Sequence, residues 1–365
     1  MSYALAFVGL AALILLHEFG HFAAAKSVGM RVERFSLFFG PLLFKVRRGE
    51  TEYGIGPIPL GGYVKISGMN PREELPEHVI PRSYWAQPVW KRVVVIAAGP
   101  AMNILVAFLI LWALFLANGW DSGHVGHTIQ QVEARAPAAA VLRPGDQLIS
   151  VDGVTDSDDF AKAISAHACA IHPPVAGCVA STPAHLVVRR GTQTLALTVY
   201  PRYVPKAGTV PAAFRIGVDF NERFVSTDPV SAAGHSVSEM WHVTSLTLTA
   251  FGKLFTSSKA RKQINSGVGV VAVTSQAFSF GVSEALGVLA LISLSLAIIN
   301  LFPFLPLDGG HIFWAIAEKV RGGRAVPVSI MEQASVVGIA LILFVFLIGF
   351  SNDIHTLTNG GFHLQ

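Results

Sequence analysis

Long apolar runs dominate this sequence, and the first of them carries two histidines and a glutamate. Residues 3–27 have the length and apolarity of a membrane-spanning helix, yet His17-Glu18-Phe19-Gly20-His21 lies within them. An Asp, Lys or Arg at the centre of a span costs roughly 2.5–3.5 kcal/mol on insertion scales, so ionisable groups there are functional candidates by default. The spacing adds a chemistry. On a helix, His-Glu-x-x-His sets two imidazoles at i and i+4 on one face, where they can share a zinc ion.

Three further runs qualify as spans: Val93–Ala117, Glu284–Phe304 and Pro327–Phe350. Charged residues make up 14% of the chain, against about 25% in soluble domains, which fits a polytopic helical membrane protein. The formal charge of +4 reads as positive loops on the cytoplasmic side and not as a nucleic-acid surface. Basic residues crowd between spans one and two (Lys26, Arg31, Arg34, Lys45, Arg47, Arg48 and others) and recur between spans three and four at Lys319, Arg321 and Arg324. The positive-inside rule places both loops in the cytoplasm and both termini outside. Residues from about Trp120 to Ser283 are then extracytoplasmic by parity. The first run lacks a basic n-region, so it does not read as a cleaved signal peptide.

The predicted organisation has four parts. Residues 1–118 hold spans one and two, with a β-rich loop between them that can re-enter the bilayer where protein or water satisfies its backbone. That loop has Arg-Gly-Glu and Gly-Pro turns, and the short strands read as a meander. An exposed edge there could take an extended substrate as an added strand, with Gly54-Ile55-Gly56 as the candidate. Residues 119–225 read as a β-rich domain with a Pro144-Gly145-Asp146 turn and a hairpin over 186–199, resembling a bacterial PDZ domain that binds extended peptide by β-augmentation. Residues 226–283 read as an amphipathic segment on the outer membrane surface, and 284–365 carry spans three and four. Cys169 and Cys178 fall in the extracytoplasmic part; a disulfide, a zinc pair of unusual spacing and two free thiols are the alternatives, and the compartment favours the disulfide.

A hydrolytic zinc site takes three protein ligands and keeps one position open. His17 and His21 supply two. Asp308 is the best third, because it follows span three in a stretch where Pro303 and Pro306 break the helix and Gly309-Gly310 allow a close turn. The loop charges put His17, His21 and Asp308 at a similar depth near the cytoplasmic side. Glu18 is then the general base. Asn103, in span two, suits either an interhelical hydrogen bond or a place beside the site. His311 is a candidate for the shell around the ligands.

Four motifs together resemble the site-2 protease family of intramembrane metalloproteases, in its bacterial branch with a PDZ insertion. They are His17-Glu18-Phe19-Gly20-His21, Pro59-Leu60-Gly61-Gly62-Tyr63-Val64-Lys65, Ala98-Gly99-Pro100-Ala101-Met102-Asn103, and Asn300-Leu301-Phe302-Pro303 leading to Leu307-Asp308-Gly309. The resemblance implies a bacterial inner-membrane enzyme that cleaves single-span membrane proteins, often anti-sigma factors, after a site-1-type protease has trimmed them. It implies that Gly54-Ile55-Gly56 belongs to the re-entrant element and that Asn300 holds unwound substrate. The chain departs from the better-known enterobacterial members in showing one PDZ-like domain in place of two, and in reading Ser266-Gly267-Val268 where Ser-Gly-Pro is usual. A competing class, a membrane adaptor recruiting partners through the PDZ-like domain, would need neither Glu18 nor Asp308.

Overall fold

The computed structural model describes residues 1–358 except 71, 172, 206–211, 255, 262–265 and 305. It divides into two compact units, one of Met1–Ala117 with the chain from Asp228 onward, the other of Asn118–Thr227. In chain order, helix α1 (Ser2–Ser27) is followed by strands β1 (Val32–Phe39), β2 (Phe44–Arg48), β3 (Thr51–Ile55) and β4 (Ile58–Ile66), then helix α2 (Val89–Asn118). The second unit holds β5 (Trp120–Val132), β6 (Gln147–Val151), α3 (Ser157–Ser165), β7 (Ala184–Arg190), β8 (Gln193–Val199), β9 (Arg202–Val204), β10 (Ala213–Arg215) and β11 (Val218–Val225). The chain then runs through α4 (Pro229–Lys253), α5 (Ser258–Arg261), α6 (Gly267–Phe280), α7 (Val282–Asn300), α8 (Asp308–Val320) and α9 (Val328–Thr358).

Four of these helices, α1, α2, α7 and α9, are long and apolar enough to cross a membrane. The third ends at Asn300, four residues before its apolar run does, because Pro303 cannot continue a helix and disfavours helical backbone in the residue before it. Hydropathy alone missed that boundary. It also missed α6. The expected surface segment at 226–283 divides into α4 and an apolar 14-residue helix, α6, that packs against α1, α7 and α9. The α6 N-terminus is pinned to α9, where the buried Asp353 carboxylate accepts from the Ser266 and Gly269 backbone N–H groups, each at 2.9 Å.

The sheet between α1 and α2 is not a meander. Its strand order is β2-β3-β1-β4, with β3 parallel to β1 and the other pairs antiparallel. The β2–β3 hairpin folds back so that Tyr53 lies beside Phe35, and Phe22 of α1 packs edge-on against both rings at 5.8 and 5.2 Å. This aromatic cluster seats the sheet on α1. The hairpin turn is tied to α1 by charge. Glu50 accepts from Arg82 at 2.7 and 2.8 Å and from Lys26, in the last turn of α1, at 2.7 Å.

The second unit is a five-stranded sheet of order β11-β5-β6-β7-β8. Phe160 and Ile164 of α3 pack with Ile129, Leu148, Leu186 and Val188 to form its core. The buried Asp146 carboxylate takes a forked pair of bonds from Arg190 at 2.8 and 2.7 Å and the Arg143 backbone N–H at 2.9 Å, fixing the turn that launches β6. Cys169 and Cys178 are joined as a disulfide and pack with Ala180 and Phe214 in a small satellite core.

The Arg82 hydrogen bonds, with those of Lys26, hold the Glu50 carboxyl down at about 2. A depressed native value stabilises the fold above the unfolded value of about 4.3 and loses that contribution as pH falls towards the native value. Thermal unfolding of the detergent-solubilised chain should therefore show a loss on the order of 1 kcal/mol between about pH 5 and 2, reduced in Glu50→Gln.

Candidate metal centre

Three side chains from two distant parts of the sequence converge. His17 and His21 lie one turn apart on α1, and their Nε2 atoms are 3.3 Å from each other. Asp308, the first residue of α8, places Oδ2 at 3.2 Å from His17 Nε2 and 3.3 Å from His21 Nε2. Among the described residues this is the group of His, Cys, Asp and Glu side chains that can hold a metal ion.

The arrangement fits zinc on two counts. Three corners of a tetrahedron whose centre lies about 2.0 Å from each ligand are about 3.3 Å apart, which matches all three distances. The Val95 contact also directs the His21 Nδ1 proton away from the cluster. His21 Nδ1 lies 2.9 Å from the Val95 carbonyl and donates to it, which leaves Nε2 as a lone pair. Asp308 Oδ2 is buried without a hydrogen-bond donor. Two imidazole nitrogens and a carboxylate oxygen held at these distances form a donor set that a divalent cation would satisfy.

Helix α2 backs this cluster. A side chain at Gly99 would place its Cβ 2.2 Å from His21 Nε2, so only glycine lets α2 approach the imidazole. Asn103, fully buried one turn further on, has its amide Nδ2 3.1 Å from His17 Nδ1, while its Oδ1 is buried without a partner. The Asn103 carbonyl accepts from Ser293 Oγ of α7 at 2.9 Å. At the other end, Gly309 allows the Asp308 turn, since a Cβ there would lie 2.2 Å from the Leu301 carbonyl oxygen.

A cavity of about 620 Å³ opens over the cluster. Glu18, Asn300 and His311 line it together with His17, His21 and Asp308. Burial pushes the His311 imidazole below the ordinary histidine range, favouring its neutral form. Gly61, Gly62, Tyr63 and Val64 of β4 form one wall.

Gly54-Ile55-Gly56 is not brought to the cavity, and this corrects the sequence reading of it as a substrate strand. Gly54 and Ile55 are paired on both sides, to Ser36 and Leu37 of β1 and to Lys45 and Phe44 of β2, and the Gly56 N–H donates to Leu37. No backbone edge remains there for an added strand. The edge beside the cluster belongs to β4, where the Val64 backbone amide faces the Glu18 carboxylate. A sequence signal existed in Gly61-Gly62, but nothing in it distinguished an edge strand from an interior one.

Sequence reasoning also missed how α8 is held. Arg92, buried in the first turn of α2, pairs with Glu318 in the last turn of α8, and its guanidinium lies 5.1 Å from the Trp85 ring. Asp308 begins the helix that this pair anchors.

The fold and the cluster point to a class: a multi-pass membrane protein with two histidines and one aspartate that could hold a metal ion, and a glutamate beside them. Residues 5–345 match the profile of peptidase family M50, and the chain belongs to that family, the site-2 proteases. It is a zinc metalloprotease of that family. A protein of Nostoc sp. provisionally named a zinc metalloprotease, all3971, is 31% identical over 94% of this chain and 93% of its own length. Zinc metalloprotease Rip1 of Mycobacterium tuberculosis is 31% identical over 91% of both chains, and Rip1 of Mycobacterium bovis is 30% identical over 91% of both.

Two outcomes follow from the support of the cluster. Gly99→Ala should displace the His21 ring and weaken zinc binding about tenfold without removing a ligand, as read by competition with a chromophoric chelator. Glu318→Ala leaves the Arg92 charge buried and unpaired, and should lower unfolding stability by about 3 kcal/mol in detergent melts.

Proposed function

We propose that this chain is an intramembrane zinc endopeptidase that cleaves single-span membrane proteins. The observation that carries the reading is the convergence of His17, His21 and Asp308 on a lined cavity, with Glu18 between that cluster and an open strand edge. His17, His21 and Asp308 are the ligands. When bound, zinc supplies a Lewis acid and makes hydroxide available near neutrality.

The chain's own residues then have defined tasks. Glu18 accepts the proton of the attacking water and gives it to the departing amine nitrogen, so that one C–O bond forms, the C–N bond breaks and the proton count closes. Val95 keeps the His21 proton on Nδ1. Asn103 does the same for His17 once its amide is turned so that Oδ1 accepts the Nδ1 proton; this exchange also satisfies the orphaned oxygen.

A helical peptide bond is shielded by its own hydrogen bonds, so the substrate must unwind before attack. The outer edge of β4 offers a backbone ladder for the unwound segment next to Glu18, and Asn300, which lines the same cavity, helps hold it. The sheet that carries β4 is the re-entrant element. The second unit acts as a PDZ-like domain outside the cytoplasm, and the metal centre lies towards the cytoplasmic side of the bacterial inner membrane, a reading that the loop charges support. Substrates of anti-sigma-factor type, trimmed first by a site-1-type protease, fit this arrangement.

The test is a purified, lipid-reconstituted chain with a single-span reporter. Glu18→Gln should keep one zinc per chain and lose at least about 10²-fold in cleavage, whereas Asp308→Ala should lose zinc and cleavage together. Normal cleavage by Glu18→Gln would reject the mechanism.

A further inference from the structure

His311 has no task in the scheme above, although its place in the fold is specific. It lies three residues after Asp308 on α8, and the i, i+3 spacing puts the two side chains on neighbouring positions of one helix face. It lines the same cavity as Glu18. Among the described residues no group hydrogen-bonds its ring, unlike His17 and His21, whose Nδ1 atoms are both engaged by α2. A half-buried imidazole with no hydrogen-bond partner in the protein keeps its ring N–H free to donate to a group that enters the cavity.

The metal triangle does not use it. His17, His21 and Asp308 complete a three-ligand set, and His311 is outside that group. Burial favours its neutral form, in which one ring nitrogen carries a proton to donate. What the proposed reaction creates in this cavity is an acceptor. Attack on the scissile carbonyl breaks its π bond and moves the electron pair to oxygen. An N–H aimed at the developing oxyanion binds it more strongly than the ground-state carbonyl, which lowers the barrier.

We propose that His311 is a further catalytic residue, donating a ring N–H hydrogen bond to the oxyanion formed at the scissile carbonyl. The proposal rests on the peptidase reading of the same site. The His311 proton stays on its ring nitrogen throughout, while the transferred proton travels by Glu18. The placement gives α8 two roles one turn apart, a carboxylate for the metal and an N–H for the substrate oxygen.

Lipid-reconstituted full-length chain is compared as wild type, Glu18→Gln, His311→Ala and His311→Gln, with zinc content, kcat and KM on a single-span reporter, and affinity for an apolar peptide phosphinate. The phosphinate anion imitates the tetrahedral adduct. His311→Ala should keep one zinc per chain and a KM within about twofold, lose about 10²-fold in kcat, and lose phosphinate affinity in proportion. His311→Gln, which keeps an N–H donor, should recover part of both losses. Wild-type kcat in His311→Ala, loss of zinc with activity, or His311→Gln no better than His311→Ala would each overturn the proposal. Reporter cleavage by wild type but not by Glu18→Gln keeps the peptidase reading intact whatever His311 does. If wild type shows no zinc-dependent cleavage, that reading fails and the His311 proposal falls with it.

Discussion

The rest of the structure is organised around three candidate ligand atoms held 3.2–3.3 Å apart inside an apolar helical unit. Such an arrangement is unfavourable without a cation, so the fold must hold it in place. Helix α1 contributes the two imidazoles through a one-turn spacing that its own hydrogen bonds fix. Helix α2 presses close at Gly99 and receives a His21 proton on the Val95 carbonyl. Helix α8 brings the carboxylate, and the buried Arg92–Glu318 pair anchors the far end of that helix to α2. Each of the three helices is therefore tied to another through a polar contact that has little room to shift.

The same economy governs the wall of the cavity. A sheet within a membrane protein needs its backbone groups paired. Here β1 and β3 are interior, and β4 leaves one edge towards Glu18. An open edge is a liability on a soluble protein, because it invites pairing with other chains. Beside a hydrolytic centre such an edge could hold an extended peptide, the role we propose for β4.

Much of this was legible in the sequence, for identifiable reasons. The polar triplet His17, Glu18 and His21 stands out because its apolar flanks make it costly. Asp308 stood out because prolines and glycines around it announce a break after a span. What the sequence hid was long-range. The Arg92–Glu318 pair joins residues 226 positions apart. The parallel β1–β3 pairing depends on a hairpin folding back, which no local pattern encodes, so Gly54-Ile55-Gly56 looked like an edge and proved interior. Helix α6 is too short for a span signal, and Phe302–Phe304 is apolar enough to extend α7 on paper although Pro303 ends it.

The most direct test of the convergence of α1 and α8 on one ion is zinc X-ray absorption on the purified chain. The expected first shell is nitrogen and oxygen at about 2.0–2.1 Å, with outer-shell scattering from two imidazoles, and Asp308→Ala should no longer retain stoichiometric zinc. A shell containing sulfur, or full zinc with an unchanged shell in Asp308→Ala, would contradict the account.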